Sequence, residues 1–453
     1  MSHRTPIKAH GTSCTMAVLS IACALVTLVG CESGAIHYQS RLDSLHRAGD
    51  YDTAANLLFD ARTERDYGGK DWLLLRLERA AVALAIGDSV RAISALEEAE
   101  SVSAFNYLDT PGEMFTKWTL NDRDAPYRAQ PYEDLYVSVF ATLAYLASGE
   151  IEGRATVAAR RTLDKTMYLR EAHQRYLTQI IDRDTGQFIR SRMASRPSRA
   201  SDGAYVDSPL GAFLSTVLFM HAGDRENQRV AGAYLLDAIE TQRGIIGRVD
   251  VDQFRDLPLM ERPDRPVLVV AFSGRGPAKR AVQVPVEGGA ASFSIPFPQI
   301  VTTSSAVVEA RVEIEGHDGV PLDLVEDLSL VAAENYRRSE PLIYARTLAR
   351  IGVKAGFVAG AAYGVGRSTD SRDWRNVTIL AGAMLIWATE RADLRSWVFL
   401  PGQARVSLID LPPGQHRIRV VYYGRASIIH TSPWHTIDPA SGDLTTILTH
   451  TPR

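Results

Sequence analysis

The spacing of apolar residues changes near residue 250, and this change limits the possible folds more than any other feature of the chain. Before about residue 245, apolar residues recur at helical spacing, as in Ala54, Leu57, Leu58 and Ala61. Beyond residue 262 they alternate with polar residues, which is the pattern of half-buried strands. The sequence therefore predicts an α+β protein with a helical domain over residues 31–245 and a β-rich domain over residues 262–453.

The helical half repeats a short turn motif. Ala48-Gly49-Asp50 and Ala85-Ile86-Gly87-Asp88 both place Gly before Asp. Glycine permits a tight turn between helices, and aspartate caps the helix that follows. The interval from Gly49 to Gly87 is near the roughly 34-residue tetratricopeptide (TPR) period, and looser copies stand at 147–150 and 222–224. We expect a TPR-like repeat domain, which either offers a groove to a partner or serves as a scaffold for the second half.

A polar, turn-rich segment at 121–131 interrupts the helical half and leads into a long helix. Its aromatic and charged residues are candidates for a partner-binding patch. A capped loop that enters a helix explains the same residues and is the favoured interpretation. The candidates are Tyr127, Arg128, Tyr132 and Glu133.

The second half predicts a β-sandwich-like domain, because short alternating segments are separated by turn residues. Helical segments intrude between about residues 324 and 390. We expect a helix at Leu324–Asn335, followed by a helical hairpin of Pro341–Tyr363 and Asn376–Glu390 packed inside the domain. The predicted strands are Pro266–Phe272, Arg280–Val286, Ala291–Pro296, Ala306–Ile314, Trp397–Leu400, Ala404–Leu411 and His416–Tyr423.

Glycines recur every four residues in the inserted hairpin, at Gly352, Gly356, Gly360 and Gly364. Such a stripe lets a helix approach another backbone closely, so these are predicted helix-packing glycines. Insertion into a bilayer, or oligomerisation through this stripe, is the alternative. Insertion is disfavoured because only about a dozen uncharged residues follow Lys354, whereas a spanning helix needs about 20.

Charged and aromatic residues alternate just before the predicted strand at Trp397–Leu400. Asp393 and Arg395 are expected to form an ion pair that fixes the corner between helix and strand, with Trp397 in the core. The alternative is a partner-binding spot, because Arg and Trp dominate the energetic centres of interfaces.

Residues 1–30 have the pattern of a lipoprotein signal peptide. Arg4 and Lys8 precede an uncharged, mainly apolar run, Met16–Gly30. This run is shorter than the span of about 20 residues that crosses a membrane and suits an export signal better. It ends in Leu28-Val29-Gly30-Cys31, which resembles the bacterial lipobox. We therefore expect cleavage between Gly30 and Cys31, and anchoring in a bilayer through diacylglycerol and palmitate on Cys31. An ordinary signal peptide with an incidental cysteine is the alternative.

Charge and cysteine content exclude several classes of function. The net charge is -3, and residues 1–31 contribute +2, so the remainder carries about -5 and lacks the basic character of a nucleic-acid-binding protein. All three cysteines lie within residues 1–31, which leaves the mature chain without a disulfide or a thiolate metal site. No HExxH, GxSxG or P-loop motif occurs, so we predict no catalytic residues, no metal and no cofactor.

Four stretches resemble a family of uncharacterised bacterial lipoproteins with TPR-like N-terminal helices and a β-rich C-terminal domain. They are Tyr132-Glu133 with the helix up to Gly149, Leu268–Arg280, Ala388–Gln403 and Leu411–Val420. The resemblance covers most of the mature chain, although Ser273-Gly274-Arg275 stands where the family often has a bulkier, acid-containing stretch. It implies an envelope protein and no catalytic residues.

These features together predict a non-catalytic protein-interaction scaffold on the periplasmic side of a bacterial membrane, linked to cell-wall or outer-membrane assembly. Its expected partners are the lipid bilayer and another envelope protein. Glu32, rather than Asp, follows Cys31, which favours the outer membrane over the inner one. The alternatives are a membrane-remodelling or pore-associated lipoprotein that uses the glycine-striped hairpin, and a peptidoglycan hydrolase whose carboxylates converge only in space.

Overall fold

The structure is a computed structural model that describes residues 34–103, 125–181, 207–247, 249–288, 291–337 and 391–453, together with Thr347 and Gly360. The described chain is α+β, as expected. A layer of helices packs against a curled, near-barrel sheet. One apolar core cluster includes residues from both halves, for example Leu77 and Phe140 from helices and Phe272 and Val406 from strands.

The helices follow one another as antiparallel neighbours, since each long helix packs on the next in the chain. A single π-helical turn, Ile151–Ala155, precedes the longest of them. The helices are α1 (Gly34–Ala48), α2 (Tyr51–Leu58), α3 (Ala61–Tyr67), α4 (Trp72–Ala85), α5 (Ser89–Ser103), α6 (Pro131–Ala147), α7 (Thr156–Ile181), α8 (Pro209–His221) and α9 (Arg225–Ile246).

All four predicted glycine turns have the same geometry. Gly49, Gly87, Gly149 and Gly223 have φ between 72° and 82°. The N–H of the following residue reaches the carbonyl five residues back, as in the bond of 2.8 Å from Asp88 to Ala83. This is the Schellman arrangement, which a left-handed glycine permits.

The three aspartates that follow these turns also cap the next helix. Asp50, Asp88 and Asp224 each accept a backbone N–H three residues further on, at 3.0–3.2 Å. The turn chemistry is therefore confirmed, but a TPR-like repeat is not. The helices between the turns range from the 8 residues of α2 to the 26 of α7, so the units are too unequal to stack as a regular array.

The sheet is a single eight-stranded structure and not the expected sandwich of two stacked sheets. Its order is β10-β1-β6-β5-β4-β7-β8, with β9 also paired to β7, while β2 and β3 form a separate hairpin. β1 pairs with β10 in parallel, and the other pairs are antiparallel. The strands are β1 (Pro266–Arg275), β2 (Ala278–Gly288), β3 (Ala291–Val301), β4 (Glu309–Ile314), β5 (Val320–Asp327), β6 (Pro401–Asp410), β7 (His416–Tyr423), β8 (Ile428–Thr431), β9 (His435–Ile437) and β10 (Thr445–Thr451).

The sheet closes a core on its own inner face, which explains why a second stacked sheet is unnecessary. Val267 and Val269 of β1 belong to this inner cluster, together with Val312, Val420 and other strand residues. The alternate residues of β1, such as Leu268 and Val270, pack into the cluster shared with the helices. β1 is buried on both faces, and this accounts for its continuous apolar sequence.

Two predicted elements differ from the observed ones. The predicted helix Leu324–Asn335 begins later, because β5 continues to Asp327 and residues 328–337 are helical. The predicted strand Trp397–Leu400 is not a strand, since its backbone bonds side chains from the helices instead of a neighbouring strand. The predicted hairpin, Pro341–Tyr363 and Asn376–Glu390, falls outside the described residues apart from Thr347 and Gly360. Gly352, Gly356 and Gly364 lie there, and Gly360 is described only in isolation.

Candidate functional site

Arg395 lies at the centre of a buried polar network that joins the two halves of the chain. Its guanidinium donates to Asp393 on one side, at 2.8 Å from both Nε and Nη2. On the other side Nη1 donates to Asp71 at 2.7 Å and to the carbonyl of Ala125 at 3.0 Å. The side chains of Arg395 and Asp71 are 1% and 0% exposed, so this ion pair is fully enclosed. Burial alone would raise the pKa of Asp393, but the hydrogen bond and charge of Arg395 lower it.

Tyr127 and Glu133 extend the same network. The guanidinium of Arg395 lies 5.6 Å from the centre of the Tyr127 ring, and the Tyr127 hydroxyl donates to Glu133 at 2.7 Å. Glu133 also accepts the backbone N–H of Gln130 at 2.7 Å, which completes a capping box at the start of α6. The two groups of residues that the sequence singled out separately, 127–133 and 393–397, are thus brought together.

Two buried carboxylates hold the segment 397–399 against the helices. Glu78 of α4 accepts the backbone N–H groups of Val398 and Phe399 at 2.7 and 3.1 Å. Glu133 lies beside the same segment, and the backbone N–H of Trp397 lowers its pKa by less than burial raises it. Burial raises the pKa of Glu78 to about 8, because the charged form loses its hydration. Burial likewise raises the pKa of Glu133.

A cluster of aromatic rings and neutral histidines adjoins this segment. The Nδ1–H of His46 donates to the Val398 carbonyl at 2.8 Å, and its ring lies 5.0 Å from that of Phe399. Tyr51 lies between Phe399 and His450, with ring centres 6.1 and 6.3 Å away. Burial lowers the pKa of His46 to about 4 and that of His450 to about 3, so both are uncharged at neutral pH. The His46 hydrogen bond and the ring contacts hold the segment in place.

The predicted partner-binding residues are therefore mostly internal. Tyr127, Tyr132, Glu133, Arg395 and Trp397 are each at most 5% exposed, whereas Arg128 and Asp393 are partly exposed. The favoured interpretations gave these residues structural roles inside the protein. The capped loop is present, Asp393 pairs with Arg395, and Trp397 lies in the core.

Sequence reasoning missed Asp71 and Glu78, although a signal was present. α4 is almost wholly apolar, yet it carries Arg76, Glu78 and Arg79, and all three are buried. Charged residues inside an otherwise apolar helix indicate buried ionic or hydrogen-bonding partners. The sequence gives no indication of which partners these are.

An open cavity of about 680 Å³ lies beside the ends of β5 and β6. Its one described carboxylate, Asp327, accepts the Gln403 amide at 2.6 Å and the Leu330 N–H at 3.1 Å. Arg425 contributes a positive charge at the wall. Hydroxyl groups line one part, from Thr302, Thr303, Ser304, Ser305 and Ser329, and aliphatic side chains line another, from Ile246, Val307, Val308, Leu324, Leu330 and Ile429.

No family model, curated protein or solved structure matches this chain. Within the described residues, no helix is long and apolar enough to cross a membrane. The same part of the chain contains no group of three or more His, Cys, Asp or Glu side chains placed to hold a metal ion. Gly30 and Cys31, predicted as the cleavage and lipid-attachment site, lie outside the described residues.

Proposed function

We propose that this protein is a lipid-anchored lipoprotein of the bacterial envelope whose folded body binds another envelope protein without catalysing a reaction. The observation that carries the proposal is Leu28-Val29-Gly30-Cys31, which ends only three residues before the first described helix. That helix is held firmly from its start, since Ala35 is buried and its N–H donates to Asp71 at 3.3 Å. Acyl chains on Cys31 would therefore hold a rigid body directly at the lipid surface.

The open cavity supports the binding part of the proposal. Concave surfaces that combine aliphatic side chains with a few polar groups are typical of binding sites. Val308 and Leu330 in the wall are 47% and 36% exposed, and nearby Ile428 is 55% exposed. Exposed apolar groups beside a hydroxyl-lined wall suit a protein partner that inserts an apolar side chain and hydrogen-bonds through its backbone.

Labelling with a palmitate analogue in a bacterial host tests the anchor. We expect the wild-type protein to incorporate the label and to fractionate with membranes, whereas Cys31→Ser does neither. Normal processing and membrane association of Cys31→Ser would overturn the proposal.

Cross-linked co-purification from the same membranes tests the binding. Val308→Glu places a charge on the cavity wall and is expected to abolish recovery of a stoichiometric partner. Val90→Glu is the matched control, because Val90 on α5 is 74% exposed and is not among the cavity-lining residues. Equal recovery with both variants would exclude the cavity as the binding site.

A further inference from the structure

At one end of the helical layer, neighbouring segments pack closely around the start of α1. Gly34 is packed so closely on the backbone of Asp66 that an added Cβ would meet its carbonyl at 1.8 Å. Ala35 bonds Asp71 just before α4, and the N–H of Tyr127, in the loop that leads to α6, donates to the Lys70 carbonyl at 2.6 Å. The starts of α1, α4 and α6 therefore lie together.

Cys31 precedes Gly34 by three residues, so the chain between them reaches at most about 11 Å. This is comparable with the screening length of about 8–10 Å at physiological ionic strength. Charges at this end of the molecule would therefore remain within electrostatic range of a bilayer that holds Cys31.

Four basic residues lie at the surface of this end, among the residues that the structure describes. Arg62 and Arg65 of α3 are exposed, as are the acids Glu64 and Asp66 beside them, while Lys70 and Arg128 are partly exposed. The four basic residues are Arg62, Arg65, Lys70 and Arg128. We call these four residues the tether face. Among the described carboxylates nearby, Asp66 pairs with Arg62 of the tether face itself, whereas Asp71 pairs with Arg395, and Glu64 with Arg76 and Arg79.

The opposite end carries the acidic caps of the glycine turns. α1, α4 and α6 run away from the tether face and end at the turns that precede Asp50, Asp88 and Glu150. α6 has 17 residues, which places its far end about 25 Å from its start. That end carries arginines beside these acidic caps, since Asp88 pairs with Arg91 and Glu150 with Arg154.

We infer that the tether face, formed by Arg62, Arg65, Lys70 and Arg128, lies against anionic phospholipid headgroups and orients the body on the membrane. Basic residues next to a membrane attachment point are attracted to anionic lipid. The inference rests on the proposed anchoring through Cys31.

Lipid-borne quenching of a single fluorophore tests this orientation. The full-length acylated protein is reconstituted in vesicles that contain phosphatidylglycerol and a spin-labelled lipid. The mature chain has no cysteine beyond Cys31, whose thiol is blocked by acylation, so one introduced cysteine is labelled uniquely. Gly69→Cys lies in the tether-face loop, and Gly153→Cys lies beyond the far end of α6. Both positions are exposed and have open space for a Cβ.

We expect strong quenching at position 69, little at position 153, and loss of the difference when zwitterionic lipid replaces phosphatidylglycerol. The triple change of Arg62, Arg65 and Lys70 to Gln should also remove the difference. Changing Arg47, Arg91 and Arg225 to Gln removes three charges at the far end and should preserve the difference in quenching.

The inference is overturned if quenching is equal at both positions. It is also overturned if the difference persists in zwitterionic lipid and in the triple variant. Absence of palmitate on Cys31 is a separate result, which overturns the proposed anchoring instead.

Discussion

Arg395 stabilises the junction between the two halves through Asp71, a partner that water cannot reach. Replacing it with Ala leaves Asp71 buried without its cation, and breaking a buried ion pair in this way costs about 3–5 kcal/mol. We therefore expect Arg395→Ala to lower the free energy of unfolding by that amount in urea titrations. Arg391→Ala is the control, because Arg391 is exposed and such a change stays within about 0.5 kcal/mol. Similar stabilities for the two variants would show that the ion pair contributes little.

The sequence predicts the local part of this network and not the distant part. Asp393, Arg395 and Trp397 are close along the chain, so their ion pair and their burial follow from local alternation. The partner Asp71 stands 324 positions before Arg395, and Glu78 stands 320 positions before Val398. No spacing rule connects residues so far apart, and their pairing depends on how the helices dock on the sheet.

At the scale of the elements, turns are more predictable than the arrays they build. A left-handed glycine followed by a capping aspartate is specified by two adjacent residues, and the Gly49 and Gly87 turns have the predicted geometry. A regular repeat also needs helices of equal length. The loop residues that set those lengths carry no signal of comparable strength.

The turn after α4 offers a test of this local specification. Gly87 has φ of 80°, so Gly87→Ala forces a Cβ into the left-handed region at about 1–2 kcal/mol. Gly153→Ala is the matched control, because its φ is outside that region and the added Cβ meets open space. Thermal unfolding should show that Gly87→Ala lowers the free energy of unfolding by about 1–2 kcal/mol. Gly153→Ala should change it by no more than about 0.5 kcal/mol. If the stability of Gly87→Ala equalled that of the wild type, the turn would have relaxed without strain.

For the whole molecule, two buried histidines and two buried glutamates predict that stability is greatest in mildly acidic solution. His46 and His450 have pKa values lowered to about 4 and about 3, so the folded state binds fewer protons than the unfolded state and stability rises with pH up to about 6.5. Glu78 and Glu326 have pKa values raised to about 8 and about 7. Their contribution is complete below about pH 4.5 and is lost as pH rises through those values, at up to about 1.4 kcal/mol per pH unit per group.

Urea titrations between pH 4 and pH 9 measure this profile, and Glu78→Gln isolates one side of it. The amide keeps the size of the carboxyl group but does not titrate, so the variant should lose less stability than the wild type between about pH 5 and pH 8. Parallel curves for the two proteins over this interval would contradict a raised pKa for Glu78.

The sheet architecture shows the limit of reading strands from sequence. Alternation along β4 and β7 predicts a buried face, and both strands have one. The same alternation occurs whether the opposite wall of the core belongs to a second sheet or to the same sheet after it has curled. The continuous burial of β1 reports two packed faces but does not reveal which elements cover them.

The bonds from Val398 and Phe399 to Glu78 also determine when the molecule can finish folding. Residues 78 and 398 are separated by 320 positions. At roughly 5–20 residues per second, a ribosome needs some tens of seconds between making the carboxylate and making its backbone donors. Burial raises the pKa of Glu78 to about 8 in the folded protein, although the N–H groups of Val398 and Phe399 lower it, so Glu78 binds a proton on going from the hydrated, unfolded chain to the native state at neutral pH. Completion of the native state at neutral pH is therefore a proton-consuming step that awaits the last part of the chain.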